Sequence, residues 1–362
     1  MSRSFAHGRQ SGFVLVLVLV ALVVITLLAS AVAVVAARAV AEAQQEVDAF
    51  ATEVAATGTR DTLLYLLSTQ RQTLGGLTVD DQVVLSAGQA TAFAESQDEF
   101  GAPLSRLPIG NEIRLDSTPY LGLGDVRFAL QDDAGLFSIN WTSQIFRDGL
   151  FSFLEVPPAE RDGMEAKRLD YQDPDSLYRL DGAEVEQYRE AGMPPPSNRT
   201  LATPLEARRM LGWREALAGY DDAAIMQLLT ASRSVVVNVN SATALSLRVV
   251  PGVDADTAQR IIALRGALPF MLDWQFVRDF ELPIGEMPPI GMSAVGYGTL
   301  ALWHNAAGPV TVTHWTLTPV DAGGRPWRLD YEITLPRADV TDPSLARVPE
   351  TPLFAQPAEA GR

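Results

Sequence analysis

Residues 13–37 carry no charge, and valine and leucine alternate through 14–20. As a helix this run rises ~37 Å at ~1.5 Å per residue, enough to cross a hydrocarbon core of ~30 Å. Polar residues then enter with a helical period. Ala43, Val47, Phe50 and Val54 follow at steps of four, three and four on one face, with Glu42, Glu46, Asp48 and Glu53 around the other sides. Beyond Gly58 the leucines Leu63, Leu64, Leu66 and Leu67 resume the helix, which is expected to end near Gly75 and Gly76. The period then changes to two. Residues 112–116 and 126–130 alternate as strands, 132–135 (Asp-Asp-Ala-Gly) read as a turn, and 136–140 as a returning strand.

From Trp141 to about Pro289 the pattern is helical with proline-rich breaks. One helix covers 149–154, another opens on Pro157 and Pro158, suited to a first turn, and a third starts at Pro204. Strand alternation returns at 299–303, 310–317 and 327–335, and the Asp-Ala-Gly-Gly-Arg run at 321–325 turns the last two into a hairpin. Strands on both sides of a long helical stretch predict an α+β fold: an N-terminal membrane helix packed on an antiparallel sheet, interrupted by a large inserted α-helical domain. The expected divisions are a leader at 1–12, a transmembrane helix at 13–37, a helix and first strands at 38–140, the helical insertion at 141–290, returning strands at 291–341, and a disordered Pro- and Ala-rich tail at 342–362.

Charge narrows the choice of partners. The net charge of −16 repels nucleic acid and anionic lipid and attracts divalent cations. There is no cysteine, hence no disulfide and no thiolate metal site. Of three histidines, His7 lies in the leader, leaving His304 and His314, which with Trp303 and Trp315 beside them read as packing or surface pairing. The Gly291-Met292-Ser293-Ala294-Val295 run lacks the second glycine of a nucleophile elbow, and no phosphate-cradling glycine loop is present. The chain therefore reads as a non-enzyme. Arg3 and Arg9 before the span, with few basic residues soon after it, place the amino terminus in the cytoplasm and the bulk outside.

The order Arg9-Gln10-Ser11-Gly12-Phe13, basic leader then glycine then apolar run, resembles the type IV prepilin class of signal. The resemblance implies cleavage between Gly12 and Phe13 by prepilin peptidase, methylation of the new terminus and retention of the helix. The fifth mature residue, usually a glutamate that neutralises a neighbouring subunit's terminus, is Leu17 here. Its absence in a long chain resembles the K-type minor pseudopilin of type II secretion systems (general secretion pathway protein K). Further likeness lies in the strand, acidic turn and Asn-containing strand end at 126–140. It continues through the acidic loop with Gly182-Ala183-Glu184 and Tyr188, and the Pro194-Pro195-Pro196-Ser197-Asn198 run. The likeness spans 12–335 and departs in the loops and at 75–107. It implies a bacterial inner-membrane, single-pass protein with a periplasmic C-terminal domain. Such a protein caps the tip of the periplasmic pseudopilus and helps start its assembly for export of folded proteins. The implied partners are the I- and J-type minor pseudopilins, the major pseudopilin and prepilin peptidase. Two alternatives stay open: a minor pilin of a type IV pilus, and a membrane-anchored helix-hairpin-helix DNA-binding protein.

Two motifs carry candidate chemistry. Asp170, Asp173, Asp175, Asp181 and Glu184 form an acidic loop open to two readings, a Ca²⁺ site or a solvated surface. It is no EF-hand, since counting from Asp170 puts Gln172 third, Pro174 fifth and Asp175 at the sixth, glycine-requiring place. The resemblance, in a family whose corresponding domain binds calcium, implies Ca²⁺ as the candidate cofactor. The second motif runs Val237-Asn238-Val239-Asn240-Ser241-Ala242, then Val250-Pro251-Gly252-Val253, then residues 256–262. It resembles a helix-hairpin-helix (SAM-like) module, with Asn238 and Ser241 as helix-start residues. Asp254 and Asp256 flank the hairpin, and Arg248, Arg260 and Arg265 are the nearby cations, too few for a phosphate clamp. The module reads as packing, with no nucleic acid partner.

Overall fold

The computed structural model describes residues 11–91, 93, 106–141, 143–284, 289–304, 308–319, 324–336 and 354. Residues 1–54 and 55–362 form two compact units. The first is a helix and nothing more among its described residues. α1 runs unbroken over Ser11–Thr69 and continues into the second unit. Its apolar side chains from Phe13 to Val40 stand exposed, and by length and composition the helix is a candidate membrane anchor. The hydroxyls of Thr26 and Ser30 donate to the carbonyls of Leu22 and Thr26 at 2.8 Å, so neither polar group is left unpaired in the apolar run. Leader residues 1–10 lie outside the described residues; Gly12 and Phe13 sit in the first turns of α1.

Two sequence expectations about α1 are corrected. Gly58 does not interrupt it: a side chain there would meet Leu123 Cδ1 at 2.9 Å, so the glycine admits a close neighbour without leaving the helix. The next residue, Thr59, accepts the Leu123 N–H on Oγ1 at 3.0 Å. The helix also stops at Thr69, before the glycines. Gly75 and Gly76 instead turn a hairpin between β1 (Gln72–Thr73) and β2 (Gly76–Thr78), with β3 (Glu112–Ile113) beside β2.

The chain then builds half of a larger sheet, β4 (Asp116–Leu121) and β5 (Val126–Asp132), and turns through a 3-10 segment, Asp133–Gly135. β6 (Phe137–Ser138) leaves that sheet and pairs in parallel with β7 (Leu229–Thr230). The expected returning strand at 136–140 is thus a lead into the helical part, and the expected strand at 112–116 is divided between β3 and β4. The helical part comprises α2 (Gln144–Phe153), α3 (Arg161–Gln172), α4 (Val185–Glu190), a 3-10 segment (Pro204–Arg209), α5 (Trp213–Ala216) and α6 (Asp222–Leu228). After β7 come β8 (Val237–Asn238), α7 (Ala244–Leu247), α8 (Ala255–Ala267), α9 (Asp273–Asp279) and β9 (Ile290–Gly291), which pairs with β8. β10 (Tyr297–His304), β11 (Val310–Leu317) and β12 (Trp327–Leu335) complete the sheet, in the order β12-β11-β10-β5-β4, antiparallel throughout.

Adjacent residues of a strand face opposite ways. Leu300 and Leu302 of β10, with Phe128 and Leu130 of β5, pack on Leu63, Leu64, Leu66 and Leu67 of α1. Burying four leucines at ~1.5–3 kcal/mol each fixes helix to sheet. Ala301 and its neighbour Val312 face the other way, toward Met226 of α6. The helical part has its own core around Trp213, Phe151 and Tyr188, where the Trp213 indole N–H donates to the Met164 carbonyl at 3.1 Å. Of the expected tail, Phe354 stacks on Phe128 at 5.8 Å; the rest of 342–362 lies outside the described residues.

Candidate functional site

The best-connected polar cluster begins where β5 ends. Asp132 is fully buried and accepts from Ser241 Oγ at 2.6 Å, Asn238 Nδ2 at 2.9 Å and the Val295 N–H at 3.0 Å. Burial, partly offset by those bonds, pushes its carboxyl up to about 6. Asn238 and Ser241 therefore hold the acidic turn rather than start a helix. Thr243 and Asp254 cap α7 and α8 instead, accepting from Ser246 N at 3.0 Å and Thr257 N at 2.8 Å.

Beside it, Asp133 Oδ2 accepts from Thr230 Oγ1 at 2.6 Å and from His314 Nε2 at 2.9 Å. His314 Nδ1 donates to Asp330 Oδ2 at 2.8 Å, and Tyr331 stacks on the ring at 4.9 Å. Burial pulls the imidazole down, but the hydrogen bonds and charges of Asp133 and Asp330 outweigh it, and His314 is raised above its ordinary value. Ser232 Oγ lies 3.1 Å from Nε2, so serine, histidine and Asp330 follow in the order of a nucleophile chain. An imidazolium clamped between two carboxylates has no lone pair to take the serine proton. The arrangement acts as a charged clamp joining β11, β12, the acidic turn and the segment after β7. His314 is thus more than the packing residue expected from its tryptophan neighbours, whereas His304 is exposed.

The acidic loop is organised by Asp170, at the end of α3. Its Oδ2 accepts the N–H groups of Arg179 at 3.0 Å and Ala183 at 2.9 Å, and its Oδ1 meets the Arg179 guanidinium at 2.6 Å. Gly182 passes so close that any side chain would collide with Asp170 Oδ2. Asp173 also pairs with Arg179. Asp175 is exposed and accepts the Leu177 N–H at 2.8 Å; Asp181 is exposed with φ of 60°. Glu184 is buried at the start of α4, where it forms a capping box with Gln187, whose side-chain oxygen accepts the Glu184 N–H at 2.9 Å. Burial, then the charges of Asp170, Asp173 and Asp175, push its carboxyl up. The structure thus brings Asp170, Asp173, Asp175 and Glu184 into one electrostatic neighbourhood around Arg179, with Asp181 exposed in the same loop. Among the described residues, no three metal-ligating side chains converge on one point.

The hairpin module has α7 and α8 joined through Val250, Pro251, Gly252 and Val253, with Gly252 at φ of +88°. Arg265 on α8 is buried and pairs with Asp116 of β4 at 3.1 Å, while its Nη1 donates to the carbonyls of Val239 and Ala242 at 2.8 and 2.6 Å. Arg260 donates to Thr257 Oγ1 at 3.1 Å. Arg265 therefore fastens the module to the sheet and is withdrawn from any phosphate.

No family model matches this chain, and no curated protein matches it. Among solved structures, the chain is similar to one in the crystal structure of the GspK-GspI-GspJ complex from the enterotoxigenic Escherichia coli Type 2 Secretion System. The identity is 16%, the TM-score 0.40, and the match covers 68% of this chain and 96% of that one.

From the sequence alone, Asp133 reads only as a turn residue, His314 only as packing or surface pairing, and Asp330 only as part of a strand. The available signal was that buried β11 carries a histidine where alternation points inward, which calls for an acidic partner. Nothing in the spacing names Asp133 as that partner.

Proposed function

We propose that this chain is a K-type minor pseudopilin of a type II secretion system, capping the periplasmic pseudopilus and helping to start its assembly. The observation that carries the reading is α1: apolar and exposed over 13–37, then continuous into a leucine face buried against an antiparallel sheet. That is the layout of a subunit drawn out of a membrane by its own helix. Two features favour the tip. Leu17 offers no carboxylate to the terminus of a subunit above, and an unpaired charge in apolar surroundings is costly. The helical part between β5 and β10 is also more than a thin shaft repeats. The proposed partners are I- and J-type minor pseudopilins below it, with the inner membrane as the site of assembly and prepilin peptidase as the processing enzyme. The burial of Arg265 in its pair with Asp116 disfavours the DNA-binding alternative. Immunogold labelling of overproduced filaments tests the position: label at one end is expected, and label along the shaft would defeat the tip assignment.

We propose further that the acidic loop takes Ca²⁺, a hard cation bound by oxygen. The buried carboxylate of Glu184 beside Asp170 and Asp173 supports a fit, since these acids outnumber the Arg179 charge. Asp170, Asp173 and Glu184, which do not converge on one point as they stand, would draw together to hold the ion, with Asp175 and Asp181 on the same loop. Millimolar Ca²⁺ is then expected to raise the Tm of the full chain in detergent by ligand linkage. Glu184→Gln should remove that gain while raising the calcium-free Tm, because it relieves a buried charge. A Tm indifferent to calcium discards the site.

A further inference from the structure

We infer that the acidic turn at Asp132 and Asp133, together with His314, is a proton-operated latch between the sheet and the helical part, closed while His314 is charged and released when the ring loses its proton. The inference rests on neither the secretion reading nor the calcium reading.

The latch lies on a seam between two apolar cores. One, around Trp213, Phe151 and Tyr188, draws its buried residues from 137–290. The other joins α1 to β5, β10 and β11 through Leu63, Phe128, Leu300 and Trp315. Across the seam the buried apolar contact is small, Met226 of α6 with Val312 and Leu335. The other links are polar. Asp132 takes Asn238 and Ser241, and Gln131 Nε2 donates to the Ser241 carbonyl at 2.9 Å. Asp133 takes Thr230, Ser232 reaches His314, and the Tyr297 hydroxyl donates to the Arg233 carbonyl at 2.5 Å. A seam held largely by buried polar groups responds to ionisation, where an apolar one does not.

The geometry at His314 requires both ring protons. Nε2 faces Asp133 at 2.9 Å and Nδ1 faces Asp330 at 2.8 Å. A neutral imidazole has one N–H, so one of these bonds is lost and a lone pair turns toward a carboxylate oxygen. The two acids are unequal. The Asp330 side chain is 23% exposed and keeps its bonds from Thr316 and Arg328. That of Asp133 is 1% exposed, and among the described residues its Oδ1 has no donor. It also adjoins the fully buried Asp132. Whichever acid keeps the remaining N–H, Asp133 no longer faces a cation. Two neighbouring buried carboxylates without a cation are strongly disfavoured, and parting the seam here gives them water. The Met226 contact and the Arg265–Asp116 pair do not involve His314 and serve as the pivot.

The other titratable groups around the ring leave the sense unchanged. Burial raises Asp132 to about 6, so it also loses its proton as pH rises. Tyr297 and Tyr331 are raised by burial and then by the neighbouring aspartates, and stay neutral. Burial raises Asp330, but bonds from Thr316, Arg328 and His314 bring it below its ordinary value, so it stays charged. Glu332 bonds Thr313 on the opposite face of the sheet.

Hydrogen exchange of the full chain in detergent micelles, read by mass spectrometry at about pH 6 and about pH 9 and corrected for the intrinsic pH dependence of amide exchange, tests the latch. Peptides covering 132–141 and 229–241 include the Ala134 and Ser232 N–H groups, which the joint protects. Their protection is expected to fall about tenfold or more at the higher pH, as follows from a tenfold difference in proton affinity between closed and released forms. Peptides from α3 in the helical core and from 60–69 of α1 should keep theirs. Asp133→Asn removes the carboxylate that needs the cation, so its seam should stay protected at both pH values. His314→Gln should be released at both, and adding Asp133→Asn to it should restore protection. No loss at the seam overturns the latch, as does an equal loss throughout both cores, or a native pH response in Asp133→Asn. Should His314→Gln fail to fold, by its melting curve, the native chain and Asp133→Asn still decide.

Discussion

At the scale of single residues, His314 makes the sharpest claim. Its folded-state value is raised above 6.5, so the stability it supplies is complete below that value and is lost as pH rises through the raised one. Asp330 works in the opposite sense: burial raises it, but bonds from Thr316, Arg328 and His314 bring it below its ordinary 3.8, so its contribution is lost only in acid. Asp132, raised to about 6, penalises the fold as pH climbs toward 6 and adds nothing to the slope above it. Between pH 6.5 and 9 the Tm should therefore fall, and His314→Gln should flatten that fall. The variant should also lose about 3–5 kcal/mol at pH 6, because Asp133 is left buried without its cation; equal pH slopes in both proteins would refute the clamp. Little of this was legible in the chain. Asp133 lies in the turn after β5 and His314 in the middle of β11, and a period of two tells which way a side chain points but not what meets it. Asn238 and Ser241 misled for a related reason. They have helix-cap chemistry, and the buried carboxylate of Asp132 claimed them first.

Secondary-structure elements were read best where they are long. β5, β10, β11 and β12 each carry enough alternation to declare themselves, whereas β6 and β7 hold two residues apiece and exist only because they meet. Glycines show the same limit. Gly58 looked like a break and is a contact; Gly149 attracted no notice and sets the distance between α2 and the hairpin. Gly149→Ala should force those two elements apart at a cost of about 1–3 kcal/mol, the usual penalty of overpacking. Gly219→Ala, with open space around it, is the control and should change Tm little. Differential scanning calorimetry of the pair decides; equal melting temperatures would remove Gly149 from this role. The acidic loop was visible as composition, but its internal order was not. Arg179 lies between acids in the sequence without any sign that it folds back onto two of them.

For the whole molecule, the pattern of strands, helices and strands again already implied one sheet built from two distant parts of the chain. What it did not supply was the joint, β5 against β10, with Leu130 opposite Leu300 and Phe128 opposite Leu302. The amino-terminal end makes a separate prediction: mature protein should begin at Phe13, and Gly12→Leu should accumulate the precursor. Amino-terminal sequencing that finds Met1, or a start beyond Ala37, would exclude processing there. The β5–β10 joint also has a consequence in time. The strands that cover Leu63, Leu64, Leu66 and Leu67 leave the ribosome in two instalments, β5 early and β10 about 170 residues later. At ~5–20 residues per second the wait is roughly 10–30 seconds. For that interval the nascent chain carries a half-shielded leucine ridge and an open strand edge at β5. Until the last hairpin is made, that exposed surface and edge should leave the chain prone to aggregate.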